Sequence, residues 1–523
     1  MDEGIDSIKS LLHLNGFRLY KEIWSDQPPL FTVILSFWYK IFGASFYYGR
    51  ILVLFFCAFL ILAFYLAIKN LHGRIGAFAG CLFLMMSLSY LRLSVSIMLG
   101  LPALALAMAS IYYGALYAKS KLKYPLILSG IFMALSLQTK FFTVPLIPII
   151  ALGIGRARKL WLAVVFLTYL TITIIFFYPD FHLLIPQLVK PHFTLLNSSN
   201  QHLPVIYAML LQDYDIALLA LCGIILSIKK RGWGFLMPFS WLLLNSAMLL
   251  IYKPVWYHYY PLISIPICWL AAISVSSFFS LRASQCWLPK KNTSDIWDVL
   301  LRWLTAILLI LSITLLPSKY HRMRNSLQGE TSIQESQILK LLLKYKPNTR
   351  WIFSDIPTFA FSTGMLIPPE IAVTTVKRKF TNEDAGDYFV NILQKYKPEQ
   401  ILISSSYGYS PRIISFIREN YIKIYDDYVL KPPDYPYPNR DLEISWLKEP
   451  IGKLLPKKIQ FTSNKRLYSL LWHSILIPLP QRKEIAVTIH KTRVEIFVRK
   501  DILKLPEKLT LNQLLEAEGS ALE

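Results

Sequence analysis

The sequence predicts a multi-spanning α-helical membrane protein with a soluble α/β domain towards its C-terminal end. Three observations predict this fold class. The chain has 523 residues and is 54% hydrophobic but only 17% charged, whereas soluble domains average about 25% charged residues. Apolar runs dominate residues 1–317, where charges occur in short clusters between the runs. From residue 318 onwards the composition is that of an ordinary soluble domain.

Ten apolar runs are candidate membrane-spanning helices, since a spanning helix needs about 20 mostly apolar residues. The fourth and fifth runs are short and are interrupted at Lys140, which indicates either a broken pair or a re-entrant unit. The runs cover residues 46–68, 75–95, 97–118, 124–137, 142–154, 160–178, 216–228, 233–252, 259–281 and 297–317.

The charge of the connecting loops predicts the direction of the chain. Every second loop carries several Lys or Arg residues, and the loops between them carry single cations. Because cytoplasmic loops hold the excess of Lys and Arg, the first set is expected to face the cytoplasm. Residues 1–45, the loop 179–213 and the tail from 318 then share the extracytoplasmic side, where they can meet. The cation-rich loops contain Lys69, Arg74, Lys119, Lys121, Lys123, Arg156, Arg158, Lys159, Lys229, Lys230, Arg231, Arg282, Lys290 and Lys291.

This topology predicts a multi-pass protein of the plasma (inner) membrane whose soluble tail is extracytoplasmic. It also explains the formal net charge of +23, because much of that charge lies in the short cytoplasmic loops. The tail shows no concentrated basic stripe, so we expect membrane lipids and no nucleic acid as partners. The five cysteines form no CxxC pair, which gives zinc and redox roles no support. No cofactor is expected.

The N-terminal stretch is rich in acidic residues and precedes an apolar run that ends at Phe42. That run is about 13 residues long, too short to span and typical of an interfacial or re-entrant segment. Two short helices along the membrane face would fit this pattern, and a solvated acidic N-terminus is the alternative. The acids are Asp2, Glu3, Asp6, Glu22 and Asp26.

Several short motifs follow one another along residues 2–428. They are Asp2-Glu3, residues 15–16 (NG), 19–20 (LY) and 25–30 (SDQPPL), Gly43-Ala44-Ser45 with Arg50, Gln138-Thr139-Lys140, residues 253–260 (KPVWYHYY), and residues 353–357 (FSDIP), 363–364 (TG), 368–369 (PP) and 397–399 (KPE). Their order and sidedness resemble the GT-C glycosyltransferases, in the branch of protein O-mannosyltransferases and lipid A aminoarabinose transferases. That family places one transmembrane helix before its acidic loop, so a further span is expected upstream of Met1.

The resemblance implies a glycosyltransferase that moves a sugar from a polyprenyl-phosphate donor to an extracytoplasmic hydroxyl acceptor. Asp2 matches the family's acidic position and is the expected general base, with Glu3 orienting it. The departing phosphate needs cations, and the candidates are Arg50, Lys140, Lys253 and His258. Snorkelling of the lysines to the interface is an alternative reading, as is an aromatic-belt position for His258. The sequence names neither the sugar nor the acceptor.

Residues 98–102 (MLGLP) depart from the family pattern, because members often carry a second acid there. A two-carboxylate or carboxylate–metal site is therefore not expected. A transporter or flippase of a lipid-linked saccharide is the alternative function. Transporters usually need ionisable residues or broken helices near the bilayer midplane, whereas most charges here lie at the ends of the predicted spans.

The tail alternates helical and strand patterns, which predicts a small α/β domain. A proline-rich segment at 432–438 indicates a boundary, and residues 485–489 and 494–498 have the alternation of a hairpin. The predicted helices are 333–345 and 384–396, and the predicted strands are 351–355 and 400–403. The predicted domains are an outer acidic loop with juxtamembrane helices (1–44), a transmembrane domain of about ten helices (45–317), an extracytoplasmic α/β domain (318–430), and a linker with a small C-terminal β-containing extension (431–523).

Overall fold

A computed structural model describes most of the chain. The described residues are 2–193, 213–230, 232–252, 255–280, 293–328, 337–375, 378, 383–404, 408–430 and 491–503. Several sequence predictions fall wholly or partly outside these residues: the candidate phosphate ligand Lys253, the loop cations Arg231, Arg282, Lys290 and Lys291, the start of the predicted helix 333–345, the proline-rich boundary 432–438 and the first half of the predicted hairpin, 485–489.

The membrane body is helical throughout its described part. Ser45 caps the long helix that follows it by accepting a hydrogen bond from the Tyr48 backbone N–H, and Gly73, with a φ of 88°, ends that helix. Such a φ is open to glycine at little steric cost. The helices are Asp2–Leu14, Leu30–Phe42, Phe46–His72, Arg74–Met86, Leu88–Ser94, Gly100–Ser120, Lys123–Leu137, Leu146–Ile154, Arg158–Phe177, Lys190–Phe193, Tyr214–Lys230, Trp233–Ile251, Pro261–Ser280, Thr293–Thr314 and Leu316–Gln328.

Each of the ten predicted apolar runs is helical, but fewer form one long helix. The run 75–95 is broken at Ser87, and the runs 142–154 and 160–178 are joined through a 3-10 turn at Gly155–Ala157. By length and composition, six helical stretches of the described residues could cross a membrane: Phe46–His72, Gly100–Ser120, Leu146–Phe177, Trp233–Ile251, Pro261–Phe279 and Leu300–His321. The multi-spanning helical fold class is thus confirmed, with shorter helices completing the body.

Burial divides these helices into a central pair and a periphery. The most apolar stretches of Gly100–Ser120 and Pro261–Phe279 are 72% and 78% buried, whereas that of Leu300–His321 is only 17% buried. The peripheral helices present large apolar side chains outwards, such as Phe166 and Ile310, which are each 62% exposed. An apolar outer surface of this kind is suited to lipid, because lipid tails solvate it where water does not.

Two short helices precede the membrane body. The first helix (Asp2–Leu14) and the second helix (Leu30–Phe42) pack against each other. The first helix also lies against the tail, where a Cβ placed on Gly4 would fall 2.5 Å from the backbone nitrogen of Thr358. The ring of Phe361 contacts Tyr39 at a centroid distance of 5.4 Å. The N-terminal stretch and the tail therefore meet on one side of the body.

The tail contains a four-stranded sheet. Its strands are β1 (Ile352–Ser354), β2 (Gln400–Ser404), β3 (Tyr421–Leu430) and β4 (Lys491–Arg499), in the order β1–β2–β4–β3. The β1–β2 pair is parallel, and the other pairs are antiparallel, with Ile401 opposite Phe497. Strand β4, expected in a separate extension, lies between β2 and β3. The tail helices are Gln337–Tyr345, Pro357–Thr363, Glu383–Tyr396 and Pro411–Asn420.

Candidate functional site

An ion pair fixes the start of the first helix to the membrane body. The Arg50 guanidinium donates from Nε and Nη2 to the two carboxylate oxygens of Glu3, at 2.8 and 3.0 Å. The backbone N–H of Ile97 donates to the same carboxylate at 3.1 Å. Asp2, the predicted base, is the first residue of this helix. Two predicted site residues, Glu3 and Arg50, are thus brought together, although sequence reasoning gave them separate roles.

A second group forms around Tyr259. Lys140 lies between Lys123–Leu137 and a 3-10 turn, and its ammonium is 5.1 Å from the centre of the Tyr259 ring and 4.9 Å from that of Phe142. The His258 ring meets the Tyr259 ring edge-on, at a centroid distance of 4.6 Å. Cations over aromatic faces are stabilised by the ring quadrupole. Two of the predicted phosphate ligands, Lys140 and His258, therefore share one aromatic neighbour.

The two groups lie at the same end of the helix Gly100–Ser120. A Cβ placed on Gly100 would be 3.7 Å from the His258 carbonyl oxygen and 3.7 Å from the Phe142 ring. Ile97, which binds Glu3, is three residues earlier in the chain. Three residues span at most roughly 11 Å, so this short segment links the carboxylate group to the cationic group.

His192 joins the second group and was missed as a site residue. Its Nε2 is 2.9 Å from the backbone carbonyl of Asp26, and its Nδ1 is 3.1 Å from the Tyr252 hydroxyl. The Tyr252 ring in turn lies 6.0 Å from that of Tyr259. The motif at residues 25–30 also reaches the segment before Lys140, because the Leu30 backbone N–H donates to the Gln138 carbonyl at 3.1 Å. The signal was present in the sequence, because His192 belongs to a histidine-containing loop predicted on the same side as Asp26.

A buried ion cluster was also missed. We use this name for Asp213, Asp215 and Lys319. The Lys319 ammonium donates to both oxygens of Asp215, at 2.7 and 3.0 Å, and lies 3.4 Å from Asp213 Oδ1. Asp213 Oδ2 accepts from the hydroxyls of Ser87, at 2.7 Å, and Tyr260, at 3.0 Å. All three charged side chains are at most 6% exposed. Sequence reasoning had placed Asp213 in a polar loop and Lys319 in the tail.

The tail contributes one further buried carboxyl. Asp355 follows β1, and its Oδ2 accepts from the backbone N–H and the hydroxyl of Ser404 at the end of β2, both at 2.8 Å. Burial raises the pKa of the Asp355 carboxyl from 3.8 to about 7, although these hydrogen bonds oppose the shift. Within the described ranges, no three His, Cys, Asp or Glu side chains are grouped as metal ligands.

Comparison with known proteins supports this architecture. Residues 26–182 match the family model described as dolichyl-phosphate-mannose-protein mannosyltransferase. The structure is similar to ArnT from Cupriavidus metallidurans bound to undecaprenyl phosphate, with a TM-score of 0.54, 13% identity, and coverage of 78% of this chain and 89% of that chain.

The apo oligosaccharyltransferase of Archaeoglobus fulgidus gives a TM-score of 0.46 and 12% identity, over 81% of this chain and 68% of that chain. No curated protein sequence matches the chain. The resemblance drawn from the motifs is thus confirmed at the level of fold. This chain is a multi-spanning helical membrane protein with a GT-C-like fold, and its residues 26–182 match the mannosyltransferase family model.

Proposed function

We propose that this protein is a membrane glycosyltransferase that transfers a sugar from a polyprenyl-phosphate donor to an extracytoplasmic hydroxyl acceptor. The observation that carries the proposal is the meeting of Lys140 and His258 at Tyr259, at the helix end that also binds Glu3. The cations can stabilise the phosphate that leaves, and a carboxylate on the neighbouring helix can accept the proton of the hydroxyl that attacks the sugar. The match to a mannosyltransferase family model, and the undecaprenyl phosphate bound to ArnT, support this donor class.

The proposed reaction is a displacement at the anomeric carbon. The Asp2 carboxylate takes the proton of the acceptor hydroxyl, and the acceptor oxygen bonds to the anomeric carbon. The bond from that carbon to the phosphate oxygen breaks, and its electron pair leaves with the polyprenyl phosphate. Lys140 and His258, with Lys253 as a further candidate, stabilise the negative charge that develops on the phosphate.

Glu3 and Arg50 are proposed to orient the base. Their two-point hydrogen bonding is directional, so it restrains the first turn of the first helix against the long helix Phe46–His72. A base must lie within hydrogen-bond reach of the proton that it removes, so backbone position matters as much as charge.

The test measures sugar transfer and donor binding by purified protein in liposomes, with a synthetic polyprenyl-phosphate sugar. Lys140→Ala should weaken donor binding because a counter-charge to the phosphate is lost. Lys119→Ala is the matched control, since it removes an exposed lysine from the other end of the helix Gly100–Ser120. Asp2→Asn should leave donor binding intact and lower turnover by about 10² or more.

Two outcomes would contradict the proposal. If the saccharide crosses the bilayer with its bond to phosphate intact, the protein is a transporter or flippase. If Asp2→Asn turns over normally, the base is another acid of the N-terminal stretch, and Glu3, Asp6 and Asp26 are the next candidates.

A further inference from the structure

The buried ion cluster joins four separate elements of the membrane body. Ser87 lies at the break between Arg74–Met86 and Leu88–Ser94, and Asp213 immediately precedes the helix Tyr214–Lys230. Tyr260 precedes the helix Pro261–Ser280, and Lys319 lies on the junction helix, Leu316–Gln328, which leads into the tail. Asp213 contacts each of the other three elements, because its carboxylate accepts hydrogen bonds from Ser87 and Tyr260 and lies next to the Lys319 ammonium.

Placing charges in this interior is expensive. Removing a carboxylate or an ammonium from water costs several kcal/mol per ion, and a well-packed apolar set often serves stability as well as a buried ion pair does. Stability alone therefore gives no reason for two acids and a lysine at this point. What the cluster supplies, and an apolar set could not, is a directional acceptor for the Tyr260 hydroxyl.

Tyr260 is the link between the cluster and the donor site. It is fully buried, and its phenol donates to Asp213 Oδ2 at 3.0 Å. The preceding residue, Tyr259, carries the ring that contacts both Lys140 and His258. Tyr259 and His258 form a single 3-10 turn, Tyr257–Tyr259, so their placement depends on what holds the turn at its ends. The Asp213–Tyr260 hydrogen bond holds one end.

We infer that the buried ion cluster positions the donor-phosphate site: Asp213, oriented by Lys319 and Ser87, anchors Tyr260 and so holds His258 and Tyr259 against Lys140. Asp213, Lys319 and Tyr260 are positioning residues here, not ligands of the phosphate. The inference rests on the proposed function. Because Lys319 lies on the junction helix, the same anchor connects the tail to the donor site.

The first test compares two tyrosines. Tyr260→Phe removes one hydroxyl and keeps the ring, and binding of a polyprenyl phosphate should weaken about tenfold, the scale of one lost hydrogen bond to a charged acceptor. Tyr90→Phe is the matched control, because Tyr90 is 2% exposed and its hydroxyl donates at 2.9 Å to the Cys57 carbonyl on the helix Phe46–His72, not to a residue of the buried ion cluster. Thermal unfolding of both variants is measured alongside binding.

A purely structural role predicts similar losses of stability and no selective loss of binding. If Tyr260→Phe binds the lipid phosphate as the parent does, or if Tyr90→Phe weakens binding equally, the inference is overturned. A selective loss in Tyr260→Phe, at a thermal midpoint close to that of Tyr90→Phe, supports it.

The second test combines Tyr260→Phe with Lys140→Ala. Because Tyr260 is inferred to hold both Tyr259, which contacts Lys140, and His258, the loss of binding in the double variant should be smaller than the sum of the two single losses. Additive losses would overturn the inference.

Lys140→Ala alone distinguishes the proposed function from the inference. Normal binding by this variant would rule out the proposed donor site, and the inference with it. Weakened binding by Lys140→Ala together with normal binding by Tyr260→Phe leaves the proposed function intact and removes only the inference.

Discussion

Two ion pairs tie distant parts of the chain to the same end of the membrane body, and they differ most in their exposure to water. In the Glu3–Arg50 pair the side chains are 18% and 39% exposed. In the Asp215–Lys319 pair they are 0% and 6% exposed. An exposed pair contributes little to stability and can exchange partners, whereas a buried pair cannot lose one member without leaving an uncompensated charge. The first pair thus allows the first helix to move relative to the membrane body, whereas the second holds the helices that it joins in one arrangement.

The largest loss of folding stability is expected from a substitution of Lys319. Lys319→Met leaves two buried carboxylates without their cation, which should cost about 3–5 kcal/mol of folding stability. Thermal unfolding of the purified protein in detergent measures the loss. A triple variant with Lys319→Met, Asp213→Asn and Asp215→Asn removes all three charges and should recover much of that stability. An unchanged unfolding midpoint for Lys319→Met would show that the cluster does not frame the body.

Asp355 is another buried acid, and it lies in the tail and not in the membrane body. Its carboxylate accepts hydrogen bonds from the backbone N–H and the hydroxyl of Ser404. Its pKa in the folded tail, about 7, exceeds the ordinary value of 3.8, so the folded state binds the proton more tightly than the unfolded state. The contribution of Asp355 to the stability of the tail should therefore be greatest below about pH 4 and fall as the pH rises to about 7, by up to about 4 kcal/mol.

The measurement for Asp355 is the unfolding midpoint of the tail at pH 4.5 and at pH 7.5, followed by limited proteolysis of the region around β1. Asp355→Asn keeps an oxygen that can accept from Ser404 and cannot ionise, so its midpoint should vary less between the two values. A parent protein with no loss of stability over this range would contradict the prediction.

Arg50 should give the smallest effect on stability and a disproportionate effect on activity. Arg50→Gln should cost under about 1 kcal/mol of stability, because the pair is partly exposed and solvent screens it. Turnover should fall about tenfold or more, since the start of the first helix loses its orientation. Arg412→Gln in the tail is the control, because it breaks an exposed pair with Asp387, of 2.7 Å, that lies outside the proposed site. Equal turnover in both variants would remove Arg50 from the site.

The parts of this fold that follow from local pattern could be predicted from sequence. The predicted helix 384–396 corresponds to Glu383–Tyr396, and the predicted strand 400–403 to Gln400–Ser404. Hydrophobic periodicity reports such elements because each depends on residues close in the chain. The break of the run 75–95 at Ser87 was not predicted, although Ser87, Ser89 and Arg92 interrupt the apolar pattern there. The partner of Ser87, Asp213, lies 126 positions away and could not be read from the local sequence.

The features that were not predicted from the sequence, such as the buried ion cluster and the place of β4 in the sheet, depend on contacts between residues far apart in the chain. Asp213 and Lys319 are separated by 106 positions, and each looks ordinary in its local context. Strand β4 pairs with β2 and β3, and its own alternation indicates a strand but does not name its neighbours. Lys140 was proposed as a site residue because it interrupts an apolar run, and His258 was proposed from its motif and its position at the outer end of a predicted span. Glu3 and Arg50 were found through motifs, and their mutual contact was not.

The close approach of Gly4 to Thr358 has a consequence for the biogenesis of the protein. The first helix completes its packing only with a segment that leaves the ribosome about 350 residues later. At about 5–20 residues per second, that interval is roughly 20–70 s. During this time the face of the first helix that packs against Thr358 is not yet covered by the tail. Every new molecule thus passes through a stage in which its membrane helices are inserted while its outer layer is still open.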